Sequence, residues 1–206
     1  MKSCLVLCSG GIDSVTAAAW LRKEKWLIHL LHIDYGQVTS ASERDAVHRC
    51  AIHMNFASPI LVDLKQIAAW GNGFLFGKGQ NELGPEAEEF PNRNLFLLGT
   101  GAVAAARLGS QAVAIGTIDV THAHYADCRP EFLHTCGLML QALSPPLELQ
   151  TPLSAMTKNE VVAQAVELGI PLELTFSCNR RSGRHCWECT GCLERFAAFE
   201  AEGVAL

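Results

Sequence analysis

Short apolar runs alternate with longer stretches in which apolar residues return every three or four positions, and this alternation covers most of the chain. Residues 3–8 form the first run, closed by Ser9-Gly10-Gly11. Residues 13–23 then follow helical spacing with Val15, Ala18, Ala19 and Leu21 facing inward. The pattern predicts a strand, a tight turn and a helix. A second run, 27–33, ends at Asp34-Tyr35-Gly36-Gln37 and leads to a predicted helix over 42–54, and 58–63 makes a third strand. Residues 71–91 are rich in Gly and Pro, lack periodicity and read as a long loop, a length often used for functional lids. Beyond it the spacing predicts a helix over 94–108, a buried strand over 112–117, a helix over 129–143 and a short strand over 147–150. A further helix over 157–168 is stopped by Gly169 and Pro171.

Strands alternating with helices imply an α/β fold, a Rossmann-like parallel sheet with helices on both faces. The composition shifts near residue 173. Residues 178–192 hold four of the nine cysteines among polar residues and Gly, and 192–202 reads as a closing helix. The expected organisation is an α/β domain over 1–172 and a small cysteine-bearing segment over 173–206.

At 206 residues, 49% hydrophobic and 18% charged, the chain suits one domain with a small appendage and is too apolar to be disordered. The longest apolar runs, 26–31 and 112–115, fall far short of the roughly 20 residues that span a bilayer. Met1-Lys2-Ser3-Cys4 reaches Gly10-Gly11 without a secretory h-region, so the expected compartment is the cytoplasm. A net charge of −5 supplies no overall basic field and counts against a nucleic-acid partner, although Arg180, Arg181 and Arg184 form a local basic spot.

Ser9-Gly10-Gly11-Ile12-Asp13-Ser14 lies between the first predicted strand and helix, where parallel sheets present ligand sites. Two glycines let the backbone turn sharply and bring N–H groups against an anion. Ser9 and Ser14 add hydroxyls, and the helix N-terminus adds its positive dipole end. A pyrophosphate fits such a cradle. Asp13 is the misfit, because its carboxylate repels a phosphate unless Mg2+ or an N-capping role offsets it. The plain alternative is a Gly-rich turn with an aspartate cap.

Cys178, Cys186, Cys189 and Cys192 are spaced Cys-x7-Cys-x2-Cys-x2-Cys, which suits a tetrahedral metal on four thiolates. Zn2+ in a closed structural site is the leading assignment and an iron–sulfur cluster the alternative. Cys4, Cys8, Cys50 and Cys136 fall in strand and helix patterns and are expected as small buried hydrophobes. Cys128 falls between a strand and a helix, at the sheet edge where ligands bind.

The hexapeptide at 9–14 is similar, residue for residue, to the Ser-Gly-Gly-x-Asp-Ser signature of the PP-loop ATP pyrophosphatase superfamily. That resemblance implies an adenine nucleotide alpha-hydrolase-like fold and cleavage of ATP between its α and β phosphates. It assigns Leu7, Cys8, Ser9, Gly10, Gly11, Ile12, Asp13, Ser14, Val15, Thr16 and Ala17 to the ATP site. Further segments resemble the 7-cyano-7-deazaguanine synthase family of queuosine biosynthesis: Asp34-Tyr35-Gly36-Gln37, Arg93-Asn94, Asp127-Cys128-Arg129-Pro130-Glu131-Phe132, Thr151-Pro152-Leu153 and Ser177-Cys178 with the later cysteines. This resemblance implies ATP, Mg2+ and one zinc per chain, a homodimer, and adenylation of 7-carboxy-7-deazaguanine followed by attack of ammonia. Catalytic roles then fall to Ser9, Asp13, Ser14 and Arg129. Substrate contacts fall to Tyr35, Gln37, Arg93, Asp127 and Arg129, with capping or surface roles as the plain alternative for each.

Some positions depart from that family. Val38-Thr39 stands where Arg-His is usual, and Thr121-His122-Ala123-His124-Tyr125 where Asp-Tyr-Ser-Gly-Tyr is usual, so the substrate loops have diverged. His185 replaces a usual Pro and Trp187 a usual Gly without loss of a thiol. His122 and His124 are candidates for acid–base groups or extra ligands. Two other readings stay open. One is a diverged paralogue that hands an adenylated carboxylate to another nucleophile. The other is an RNA-binding module or a zinc-containing tRNA-modifying enzyme, and in a sulfur-inserting enzyme of that kind Cys128 would be the reactive thiol.

Overall fold

The computed structural model describes residues 2–78, 90–119 and 125–205. Strand β1 (Ser3–Leu7) is buried along its whole length and occupies the middle of a five-stranded sheet. Around it lie β2 (Leu27–Asp34), β3 (Ile60–Asp63), β4 (Ala112–Ala114) and β5 (Glu148–Gln150), in the order β3-β2-β1-β4-β5, all pairs parallel. The order reverses at β1, so the crevice at the carboxyl ends of β1 and β4 is where a sheet of this kind holds ligands. The helices are α1 (Ile12–Lys23), α2 (Ser40–His53), α3 (Arg93–Leu108), α4 (Pro130–Gln141), α5 (Lys158–Glu167) and α6 (Thr190–Ala201).

The two-residue period of β1 divides the core. Cys4 and Val6 join α1, α5 and α6 on one face, whereas Leu5 and Leu7 join α3 and α4 on the other. Helix α6 contributes Ala198 and Phe199 to the first of these clusters, so the C-terminal segment shares the core of the sheet. α1 is buried nearly all round, with Ser14, Thr16 and Ala17 inside as well as the residues expected. Its small side chains allow that close approach.

Most predicted elements occur within two residues of their expected ends; the larger differences have local causes. β4 stops at Ala114 rather than 117, because the chain then passes under the nucleotide loop. A Cβ on Gly116 would stand 2.9 Å from the Asp13 carbonyl group. β3 begins at Ile60 and is a half-exposed edge strand. The expected loop at 71–91 contains a short 3-10 turn, Phe74–Phe76, whose Phe74 and Leu75 are buried, while 79–89 lie outside the described residues. Among the described residues no helix is long and apolar enough to cross a membrane.

Candidate active site

The nucleotide loop owes its shape to a glycine that no other residue could replace. Gly10 has φ +78°, and a Cβ there would meet the Ala46 Cβ at 2.7 Å and the Glu43 carbonyl oxygen at 2.8 Å. Gly11 is the N-cap of α1 and no side chain caps that helix, which leaves its first N–H groups available to an anion. The Ser14 hydroxyl donates to the Gly11 carbonyl at 3.0 Å and lies 3.4 Å from the Ser9 hydroxyl. Asp13 does not act as the N-cap of α1, a position that Gly11 holds. Both its carboxylate oxygens contact Lys158 Nζ, at 2.7 and 2.8 Å, in a largely buried pair. Lys158 is the first residue of α5, placed there by a capping box between Thr157 and Glu160.

A cleft of about 380 Å³ opens over this loop. Leu7, Cys8, Ser9, Gly11, Ile12, Asp13 and Ser14 line it, whereas Gly10, Val15, Thr16 and Ala17 are not among its lining residues and the last three are buried in α1. Tyr35, Arg93, Asn94 and Cys128 line the cleft as well. Arg93 is hydrogen-bonded to the Tyr35 side chain. Burial alone would depress its pKa, but Tyr35, Asp127 and Cys128 outweigh that and raise it, so the cation is secure. Burial pushes the Tyr35 phenol up. The Tyr35 ring packs with Phe76 and Phe90 at centroid distances of 6.1 and 5.9 Å, an apolar wall beside the guanidinium.

The other expected contacts sit differently. Gln37 is buried and does not line the cleft. Its oxygen accepts the Tyr35 N–H, and its nitrogen donates to Glu43 and to the Ile33 carbonyl. Asp127 is not among the lining residues of the cleft and does not cap α4. Its carboxylate accepts the Asn94 N–H at 2.8 Å at the start of α3, while the Asn94 side chain donates to the Asp127 carbonyl and to the Cys128 sulfur. Arg129 is exposed at the N-cap of α4 and does not line the cleft. Burial, seconded by Asp127, raises the Cys128 thiol above its ordinary pKa, which argues against a reactive thiolate. Burial likewise takes Cys4 and Cys50 to about 12, as inert core residues. His122 and His124 lie outside the described residues.

Pattern reading missed Lys158, His32, Thr117 and Glu43, which all line the cleft. A signal existed for Lys158: Thr157-Lys158-Asn159-Glu160 after a strand marks a helix start, and helix starts after strands face the ligand edge. His32 gave none beyond a polar residue in an apolar strand.

The four cysteines converge as expected: the sulfurs of Cys178, Cys186, Cys189 and Cys192 lie within 4.8 Å of one another and all four residues are buried. The surroundings fit a thiolate-bound metal. Backbone N–H groups of Arg180 and Arg181 point at the Cys178 sulfur, at 3.4 and 3.3 Å, and those of Glu188 and Cys189 point at Cys186, at 3.4 and 3.3 Å. Arg195 lies beneath, 4% exposed, and donates to Thr175, Ser177 and the Leu172 carbonyl. Burial lowers its pKa to about 10, opposed by Cys192. The segment so held joins the nucleotide loop, because the Phe176 N–H donates to the Gly10 carbonyl at 2.9 Å.

A family model described as Queuosine biosynthesis protein QueC matches residues 3–203. The chain belongs to the QueC family. Among relatives of QueC type, "7-cyano-7-deazaguanine synthase" of Campylobacter curvus (strain 525.92) is 32% identical over 99% of this chain and 96% of the relative. The protein of the same name from Koribacter versatilis (strain Ellin345) is 33% identical over 97% of this chain and 90% of the relative. Among solved structures, NMN synthetase from Francisella tularensis shares the fold, with TM-score 0.53 at 15% identity over 100% of this chain and 79% of that one. The α/β nucleotide fold expected from the strand–helix alternation is therefore the fold of this QueC chain, and the PP-loop it carries implies use of ATP.

Proposed function

We propose that this QueC chain is an ATP-dependent carbon–nitrogen ligase that converts 7-carboxy-7-deazaguanine and ammonia to 7-cyano-7-deazaguanine. One observation carries the reading: a single cleft is lined both by the nucleotide loop with its Asp13–Lys158 pair and by Arg93 beside an aromatic wall. The loop suits a triphosphate, and Arg93 with Tyr35 suits a planar ring bearing a carboxylate.

The chemistry runs in three stages. A carboxylate oxygen attacks the α-phosphorus of ATP and pyrophosphate leaves. Ammonia then attacks the acyl carbon, loses a proton and expels AMP, which gives the amide. The amide oxygen attacks the α-phosphorus of a second ATP as pyrophosphate leaves, and it then departs on AMP while the nitrogen loses both its protons and the nitrile forms. Ser9, Ser14 and the N–H groups at the start of α1 hold phosphate oxygens, and Lys158 supplies the cation closest to the loop. Mg2+ with the triphosphate would lower the charge at the α-phosphate, beside Asp13. Zn2+ is the ion we assign to the four thiolates, as a structural centre. We also infer a cytoplasmic homodimer, and exposed Leu138, Met139 and Leu143 offer apolar surface for a second copy to cover.

Incubation of the metal-loaded protein with 7-carboxy-7-deazaguanine, ATP, Mg2+ and ammonia should give the nitrile and AMP by mass spectrometry. AMP without nitrile would direct the adenylate to another nucleophile. Neither product from folded protein would sink the assignment.

A further inference from the structure

A buried polar atom without a hydrogen-bond partner requires an explanation. Among the described residues three side-chain atoms are in that position: His32 Nε2, Ser110 Oγ and Thr117 Oγ1. Ser110 precedes β4 and is not part of the cleft; the other two line it, His32 from β2 and Thr117 from beyond β4. They flank the nucleotide loop that follows β1.

His32 is the more informative, because its chemistry can be worked out. Its ring is 2% exposed, and Nδ1 lies 3.3 Å from the Cys8 carbonyl oxygen. A carbonyl oxygen only accepts, so Nδ1 carries the proton, and in a neutral imidazole Nε2 is then a bare acceptor. Burial keeps the ring neutral by lowering its pKa, against the opposing pull of Glu43, the Cys8 carbonyl and Asp34. The missing partner is therefore a donor, an O–H or N–H group. A phosphate oxygen cannot serve.

Position narrows the partner further. Cys8 is the residue before Ser9, so the imidazole abuts the root of the nucleotide loop. The strand period turns His32 away from Leu31 and Ile33, which share their core cluster with Tyr35, and therefore away from the Arg93 side of the cleft. We propose that His32 is a specificity-determining residue whose Nε2 accepts a hydrogen bond from the nucleoside part of ATP, either a sugar hydroxyl or the 6-amino group of the base. This deepens the ATP reading of the cleft and rests on it.

Calorimetry on the full-length, metal-loaded protein compares ATP with 2′-deoxy-ATP, 3′-deoxy-ATP and purine riboside triphosphate. The analogue lacking the group that His32 reads binds the wild type about tenfold more weakly than ATP. It binds His32→Phe no more weakly than ATP does, while His32→Gln, which keeps an acceptor, retains the preference. A sugar analogue behaving so assigns the hydroxyl, and the purine riboside assigns the amine. Three analogues equal to ATP in the wild type, or a preference that His32→Phe preserves, overturn the proposal. Because a buried variant can fail to fold, the wild type supplies a separate readout: the nitrogen-15 resonance of His32 Nε2 shifts on adding ATP but not on adding inorganic pyrophosphate. An unmoved resonance in ATP-bound protein overturns the proposal, as does a water alone seated on Nε2. A wild type that binds no ATP removes instead the reading on which it rests.

Discussion

Asp13 and Lys158 are 145 residues apart in sequence, yet the carboxylate of one holds the ammonium of the other. Each therefore changes what the other does to a bound phosphate. Lys158→Met should weaken ATP about tenfold or more, since it removes a cation and leaves the Asp13 carboxylate facing the triphosphate. Lys158→Met with Asp13→Asn should lose less than the two single effects combined, and a calorimetric double-mutant cycle measures the difference. Strict additivity would show that the pair does not act on the nucleotide together. His32 carries a second consequence at this scale. Burial lowers its pKa below 6.5, opposed by Glu43, the Cys8 carbonyl and Asp34 and assisted by Arg44. Below pH 6.5 the unfolded chain takes up a proton that the folded one refuses, so the stability contributed above 6.5 declines as pH falls toward the lowered native value. Urea unfolding midpoints between about pH 7.5 and 5.5 should fall less steeply for His32→Phe than for the wild type.

At the level of elements, α5 alone of the six described helices has a side-chain bond at its N-cap, and α3 is the uncapped helix that matters for the cleft. Its N-cap, Asn92, offers no side-chain bond, and the Asn94 N–H is bound instead by Asp127, 33 residues away. That carboxylate also sits beside Arg93, the first residue of the helix. Asp127→Ala should cost about 1–2 kcal/mol in thermal or chemical unfolding, with Asp127→Asn milder because an acceptor oxygen remains. The binding of a carboxylate substrate should weaken in step as Arg93 loses its brace. Full substrate affinity in a destabilised Asp127→Ala protein would separate the two roles. α5 shows the contrasting case, with its capping box written within four residues and legible in the sequence.

Across the whole molecule, the cysteine segment is a structural partner of the nucleotide loop. Arg195 ties α6 to residues 172–177, and Phe176 in that stretch bonds Gly10. Removing the metal under reducing conditions should lower the melting temperature by about 10 °C, because ligand binding to the folded state adds directly to stability. ATP affinity should fall with it, as calorimetry on chelated and metal-restored samples can show. A chelated protein with unchanged ATP affinity would mean that the loop is held without the metal.

The strand–helix alternation, the glycine turn and the cysteine spacing could be read in the chain because each is a relation among near neighbours: a period, a turn, a ligand interval. What faces the cleft depends instead on residues far apart. Lys158 against Asp13, Asp127 under Asn94, and the His32 ring on Cys8 meet only when parallel crossovers carry successive strand ends to one edge of the sheet. Gln37 and Arg129 show the same limit in reverse. Both stand in motifs that suggested contact with substrate, yet packing turns one into the turn after β2 and leaves the other exposed at a helix start, because side-chain direction is a property of the assembled layers.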